Sequence, residues 1–216
     1  MAAPPAQVWA ALRAHPELVF HGLPADAWPA QLDCQEPLFL RVAWPFTPEP
    51  TEVSFVLRDL AGSTRLDLRH QGWAEGPRWD EPVQGHFSGW LEGLALLGLM
   101  IETGRDGRTP DAALAGRERY FISGEVPAAV APVYRSLTDE ATLERWAEGI
   151  LDGATRVEEL EHKLLRWRLP SGGELVAIFR PTPRGTHVAL AEYGGRGREA
   201  SARWPAMFER LTRFLG

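Results

Sequence analysis

The fold class that this sequence of 216 residues predicts is α+β, built from two tandem copies of one strand-meander-plus-helix unit. Three observations carry that expectation. Two separate regions alternate apolar and polar residues with the period of two that belongs to a strand with one wet face. Residues 87 to 104, FSGWLEGLALLGLMIETG, have no proline and only Ser88 and Glu92 as polar residues between Phe87 and Ile101. The two regions also align with each other at a nearly constant offset.

In chain order, PPAQVWAAL predicts a short helix entered through proline, with Val8, Trp9 and Leu12 at helical spacing and its end before Pro16. Residues 22 to 37 are rich in Pro and Gly and read as irregular. Strands are expected at 38 to 44, 52 to 58 and 64 to 70, the last two joined as a hairpin by LAGST. The loop GPRWDEPVQG then leads into the helix at 87 to 104, which Gly104 stops. A helix apolar on most sides is buried on more than one face, and this one is too short and too glycine-rich for a membrane span. It forms either a cavity wall or plain core, and plain core is the commoner use.

Residues 105 to 118 are polar and unpatterned and serve as a linker between a first unit, 1–104, and a second, 119–216. In the second unit RYFISGEV reads as a strand and VAPVYRSL as a helix. TDEATLERWAEGIL reads as another helix, capped by Thr138 or Asp139. Strands follow near 156 to 161, 163 to 169, 174 to 180 and 186 to 193, then a helix at about 201 to 215 with Trp204, Phe208, Leu211 and Leu215 in one stripe.

The repeat aligns QVWAAL with PVYRSL at an offset of 125, and Trp44 with Trp167 and Val53 with Val176 at 123. Thr64 aligns with Thr186 and Leu68 with Leu190 at 122, and SGWLEGL loosely matches ARWPAMF. So small a drift across four elements marks two copies of one unit.

Composition removes several functions. A formal net charge of -6 leaves no basic surplus for nucleic acid or an acidic membrane surface. Cys34 is alone, so no disulfide or cysteine-based zinc cluster is expected, and with no secretory signal in view a reducing cytoplasm is the expected home. The 6 histidines form no metal spacing, no phosphate loop or G-x-S-x-G is present, and GGRGRE at 194 to 199 reads as a solvated turn. No cofactor is expected.

The hairpin pattern G-T/S-T-x-L-x-L-x-H-x-G followed by a helix opening on Gly-Trp is carried here by TRLDLRHQGW (64–73) and GWLEGL (89–94). In the second half the stretches that carry the likeness are ISGEVPAAVAPVYRSLTD (122–139) and GTHVALAEYGG (185–195). With Val8, Trp9 and Leu12 these resemble the helix-grip superfamily of START and polyketide-cyclase-type (SRPBCC) domains, above all the family named for the activator of the heat-shock protein 90 ATPase. The resemblance implies curved antiparallel sheets, each packed on a long C-terminal helix, with an apolar cavity between. Both units would be abridged: the first lacks the family's first strand and, between 20 and 38, room for its hairpin. The second spans roughly 98 residues, so the two grips are expected to complete each other. The family's chaperone-stimulating members carry a further N-terminal domain with no counterpart seen in this sequence.

Strand alternation puts His70 on one face with Leu66 and Leu68, Glu192 with Val188 and Leu190, and Arg180 with Val176 and Ile178. His70 and Glu192 are equivalent in the repeat. If these faces are concave, each unit has a polar group near a cavity mouth, with Trp44, Trp90 and Trp167 as walls, as a binding pocket requires. The alternative is that these polar groups are strand ends emerging into water. The expected function is non-catalytic binding of a small apolar or amphipathic molecule. Its rivals are a cyclase or hydratase, needing His70 with Glu192 or Asp80 as acid and base, Glu81 lying beside Asp80, and a chaperone-type interaction module with a filled core and an exposed apolar patch. A homodimer is compatible with either binding role, because a missing first strand leaves an edge that a neighbouring chain could fill.

Overall fold

The computed structural model describes residues 1–20, 28–108, 114, 119–147, 149–194 and 197–216, with backbone alone at 80–82, 84, 85, 88 and 197–202. The linker residues 109–113 and 115–118, and part of the GGRGRE turn, lie outside the described residues. The chain divides into two compact units, Met1–Asp106 and Gly107–Gly216. No helix among the described residues is long and apolar enough to cross a membrane.

The first unit runs α1 (Pro5–Ala14), α2 (Pro16–Val19), β1 (Gln31–Gln35), β2 (Phe39–Trp44), β3 (Thr51–Asp59), β4 (Thr64–Gln71) and α3 (Pro77–Thr103). Its four strands pair antiparallel in the order β1-β2-β3-β4. One face is apolar and dry: Leu40, Val42 and Trp44 of β2 lie beside Val53, Phe55 and Leu57 of β3, all at most 3% exposed. Burying a side chain of this size stabilises by about 1.5–3 kcal/mol, so this face anchors the unit.

Two sequence expectations are corrected here. Residues 31 to 35, read as irregular, form β1, and with β2 they make the hairpin for which the chain seemed too short. The turn needs only residues 36 to 38, closed by the Leu38 N–H donating to the Gln35 carbonyl at 2.7 Å. β1 is an edge strand, mostly exposed on both faces, so no alternation betrayed it. The helix begins at Pro77, not Phe87. Proline at the first helical position loses no bond, and Trp79, 2% exposed, buries that first turn. Gly104 ends the helix as expected, in the left-handed region at φ 70°, its N–H donating to the Met100 carbonyl.

The second unit runs β5 (Arg119–Val126), α4 (Val130–Thr138), α5 (Glu140–Trp146), β6 (Thr155–Leu160), β7 (Leu164–Arg168), β8 (Glu174–Thr182), β9 (Gly185–Tyr193) and α6 (Gly197–Leu215). Five antiparallel strands stand in the order β5-β9-β8-β7-β6. The Asp139 carboxylate caps α5 by accepting the Thr142 N–H at 2.8 Å. Trp204, Met207 and Leu211 of α6 pack into a core with Leu165, Trp167, Leu175, Phe179, Val188 and Leu190. Each unit is therefore an antiparallel meander followed by a C-terminal helix, the α+β helix-grip arrangement. On the other face of the second sheet, Arg166 is 3% exposed, paired with Glu158 at 2.9 Å and Glu174 at 3.4 Å, and donates to the Arg108 carbonyl.

The two units share local features at positions the sequence aligns. Val8 and Val133 are both fully buried, and Trp9 and Tyr134 are both 6% exposed. The Thr64 hydroxyl donates to the Ala3 carbonyl at 2.6 Å, and the Thr186 hydroxyl to the Ala128 carbonyl at 2.7 Å. Two alignments are corrected. Val53 stands opposite His70, and it is Leu175, not Val176, that stands opposite Glu192. A slip of one residue turns a strand position to the other face, so Val53 and Val176 do not correspond. By the same ladders Val42, not Trp44, corresponds to Trp167.

The helices α2 and α3 approach most closely at Gly93, where a Cβ would stand 2.8 Å from the Leu18 carbonyl oxygen and 2.9 Å from the Val19 Cα. Both obstacles are backbone, so G93A is expected to lose about 1–3 kcal/mol in urea unfolding, the usual cost of overpacking. An unchanged midpoint would show that α2 yields freely.

Candidate functional site

The residues at the end of each unit's last strand are held by the helix that follows. In the first unit the Trp90 indole N–H donates to His70 Nδ1 at 3.1 Å. In the second the Trp204 indole N–H donates to the Glu192 carboxylate at 2.6 Å, and Arg203 pairs with the same oxygen at 2.6 Å. His70 and Glu192, which the sequence aligns, thus each accept the indole N–H of the helix that follows, from Trp90 and Trp204.

An indole nitrogen only donates, which makes Nδ1 of His70 an acceptor and puts the ring proton on Nε2. Nε2–H then donates to the Thr51 hydroxyl at 2.6 Å. The Thr51 hydroxyl meets Thr47 Oγ1 at 3.1 Å, and the Thr47 hydroxyl donates to the Glu49 carbonyl at 2.6 Å. Proton order along this chain is fixed by Trp90. Burial, and to a lesser degree the neighbouring His86, lower the His70 pKa from 6.5 to about 4. Both ring nitrogens are engaged, so His70 holds structure and has no nitrogen spare for proton transfer with a guest.

Around this chain stand stacked rings. Trp44 and Trp90 have centroids 4.8 Å apart, and His70 and Trp73 have centroids 4.2 Å apart. The structure therefore brings Trp44, His70 and Trp90 together, as the strand pattern implied. In the second unit Glu192 is 3% exposed and fully engaged, and Trp167 is core at 5%. Arg180 stands opposite His187, whereas Glu192 stands opposite Leu175, so Arg180 and Glu192 lie on opposite faces of the sheet. The period of two had grouped Arg180 correctly with Val176 and Ile178, but that face is turned away from α6. The side chains of Asp80 and Glu81 lie outside the described residues. Among the described residues no group of three or more His, Cys, Asp or Glu is placed to hold a metal ion.

A cleft of about 260 Å³ lies between β4 and α3, lined by Leu68, His70, Trp73, Val83, Phe87, Trp90, Leu91 and Leu94. Val83, Phe87, Leu91 and Leu94 fall at helical spacings of four, four and three, one stripe on α3. Phe87 is 66% exposed and Val83 39%, whereas α3 from Ala95 to Leu99 is buried. Sequence reasoning named His70 and Trp90 but missed the stripe, because it started the helix at Phe87 and took the whole run as buried. The spacing of Val83, Phe87 and Leu91 was the available signal.

The cleft has a cause in the topology. In the second unit the same place is closed by β5, whose Gly124 lies so near α6 that a Cβ there would stand 3.2 Å from the Phe208 ring. Phe208 corresponds to Leu94. In the first unit β4 is the sheet's edge, and among the described residues no strand pairs with its far side; there the Met1 ammonium donates to the Thr64 carbonyl at 2.8 Å and the Thr64 N–H to the Met1 carbonyl at 2.9 Å. Met1 holds the place of Val126, the last residue of β5.

Two outcomes follow. The unfolded chain protonates His70 near pH 6.5, the folded protein only near 4, so stability is level above pH 6.5 and falls between 6.5 and 4. One such group contributes up to roughly 1.4 kcal/mol per pH unit. His187, whose pKa burial also lowers, adds in the same sense, so the reading is the difference between wild type and H70Q. H70Q is expected to be less stable at pH 7 and to show a shallower acid slope; equal slopes would contradict the assigned tautomer. E192L, which strands the Trp204 donor and Arg203, is expected to cost about 2–3 kcal/mol in urea unfolding.

No protein-family model matches the chain, and no curated protein matches it. Among solved structures it is similar to AHSA1-like proteins. The AHSA1-like protein from Aeromonas hydrophila is 14% identical over 45% of this chain and 91% of its own, with a TM-score of 0.40. Protein NE0264 from Nitrosomonas europaea is 15% identical over 50% of this chain and 97% of its own, with a TM-score of 0.40. The Aha1 dimer from Colwellia psychrerythraea is 12% identical over 45% of this chain and 96% of its own, also at 0.40.

Proposed function

We propose that this protein binds a small apolar or amphipathic guest, without catalysis, in the cleft between β4 and α3 of its first unit. The observation that carries the reading is the unsealed apolar stripe Val83, Phe87, Leu91 and Leu94 facing Leu68 and Trp73, at a place that β5 closes in the second unit. Exposed phenylalanine beside a concave apolar wall gains from burial, at about 25 cal/mol per Å² of apolar surface removed from water. The engaged nitrogens of His70 speak for recognition over turnover. A lone free cysteine, Cys34, supports a reducing, cytoplasmic setting.

The test is titration with 1-anilinonaphthalene-8-sulfonate. Saturable binding at one site per native chain is expected, weakened at least fivefold in F87S, whose exposed side chain is dispensable for folding. Native mass spectrometry is expected to show the same stoichiometry. Binding that F87S leaves unchanged would place the guest elsewhere.

A further inference from the structure

We infer that the guest of this cleft is an extended segment of another polypeptide, which pairs with the open edge of β4 as a fifth strand and seats its inward side chains against α3. The inference rests on the cleft being the binding site and names the ligand class for it.

The second unit supplies the template. There β5 pairs antiparallel with β9, with Tyr120 opposite Glu192, Ile122 opposite Leu190, Gly124 opposite Val188 and Val126 opposite Thr186. The matching positions on β4 are His70, Leu68, Leu66 and Thr64. Thr64 has its partner, Met1, and the His70 carbonyl accepts the Trp73 indole N–H at 3.2 Å; among the described residues no strand pairs with Leu66 and Leu68 on that side. In an antiparallel ladder alternate residues turn their N–H and C=O to the same edge, so Leu66 and Leu68 present theirs outward as Thr64 does. Those groups and the apolar stripe together form what strand addition uses: a backbone ladder for affinity and a cleft for alternate side chains. At about 260 Å³ the cleft has room for two or three side chains of a strand.

Charge narrows the partner further. On the outer face of the sheet, Arg58 of β3 and Arg65 of β4 share the single carboxylate of Asp67 at 3.6 and 2.7 Å, and Arg69 of β4 adds a third positive charge. An added strand in the register of β5 places one residue opposite Arg65, where Glu125 of β5 faces His187, and another opposite Arg69, where Phe121 faces Ala191. The fitting segment therefore alternates: small or apolar residues toward α3, carboxylates outward.

The probes are synthetic peptides on the full chain: RYFISGEV, the sequence of β5; RYEISGEV, with a second outward carboxylate; and RYFISGEV N-methylated at Ile122 and Gly124. The expected result is saturable binding read by NMR shifts of the Leu66 and Leu68 amides. RYEISGEV should bind several-fold tighter at low salt, the N-methylated peptide at least tenfold weaker, and F87S should weaken both active peptides. If the anilinonaphthalene probe binds through Phe87 but no peptide does, the strand inference falls while the binding site stands; if neither binds, both fall. Light scattering that shows concentration-dependent dimers, dissociated by F87S and closed to the peptides, would give the edge to a second copy and overturn the inference.

Discussion

In each unit a hydrogen bond from a helix indole ties the C-terminal helix to the end of the sheet's last strand, and the site depends on it. The donor has no alternative chemistry, so its acceptor is forced: a neutral histidine ring in one unit, a carboxylate in the other. In the second unit the carboxylate draws in Arg203 and the junction is sealed. In the first the histidine Nε2–H donates a hydrogen bond to Thr51, which orients the strand-side network.

What separates the units is one strand. With β5 in place the second unit needs a glycine where the aromatic ring of α6 meets the sheet, and its core closes. With no counterpart among the described residues, the first unit exposes a strip of α3 and an edge of β4 side by side. Exposed edges invite pairing, and proteins ordinarily guard them with charge; the arginines of β4 do so selectively, against other positive strands.

Much of this could be read in the residues. Period-two alternation located β2 to β4 and β7 to β9, and the apolar run located α3, because burial on one face leaves a periodic trace. The repeat tied His70 to Glu192 through the threonines that open the hairpins. β1 was invisible because an edge strand exposed on both faces has no trace to leave. Arg180 was placed on the wrong side of the sheet from Glu192 because alternation groups residues by face without saying which face meets the helix. The stripe from Val83 was lost to two prolines, Pro77 and Pro82, that read as loop signals although the first merely begins the helix.

The central claim is that the last strand of the first unit has an open edge where that of the second is covered. Amide hydrogen exchange of the native protein measures this directly. The account requires fast exchange at Leu66 and Leu68 and strong protection at Val188 and Leu190, their counterparts beneath β5. Equal protection at the two pairs would mean that something already covers β4, and would contradict the account.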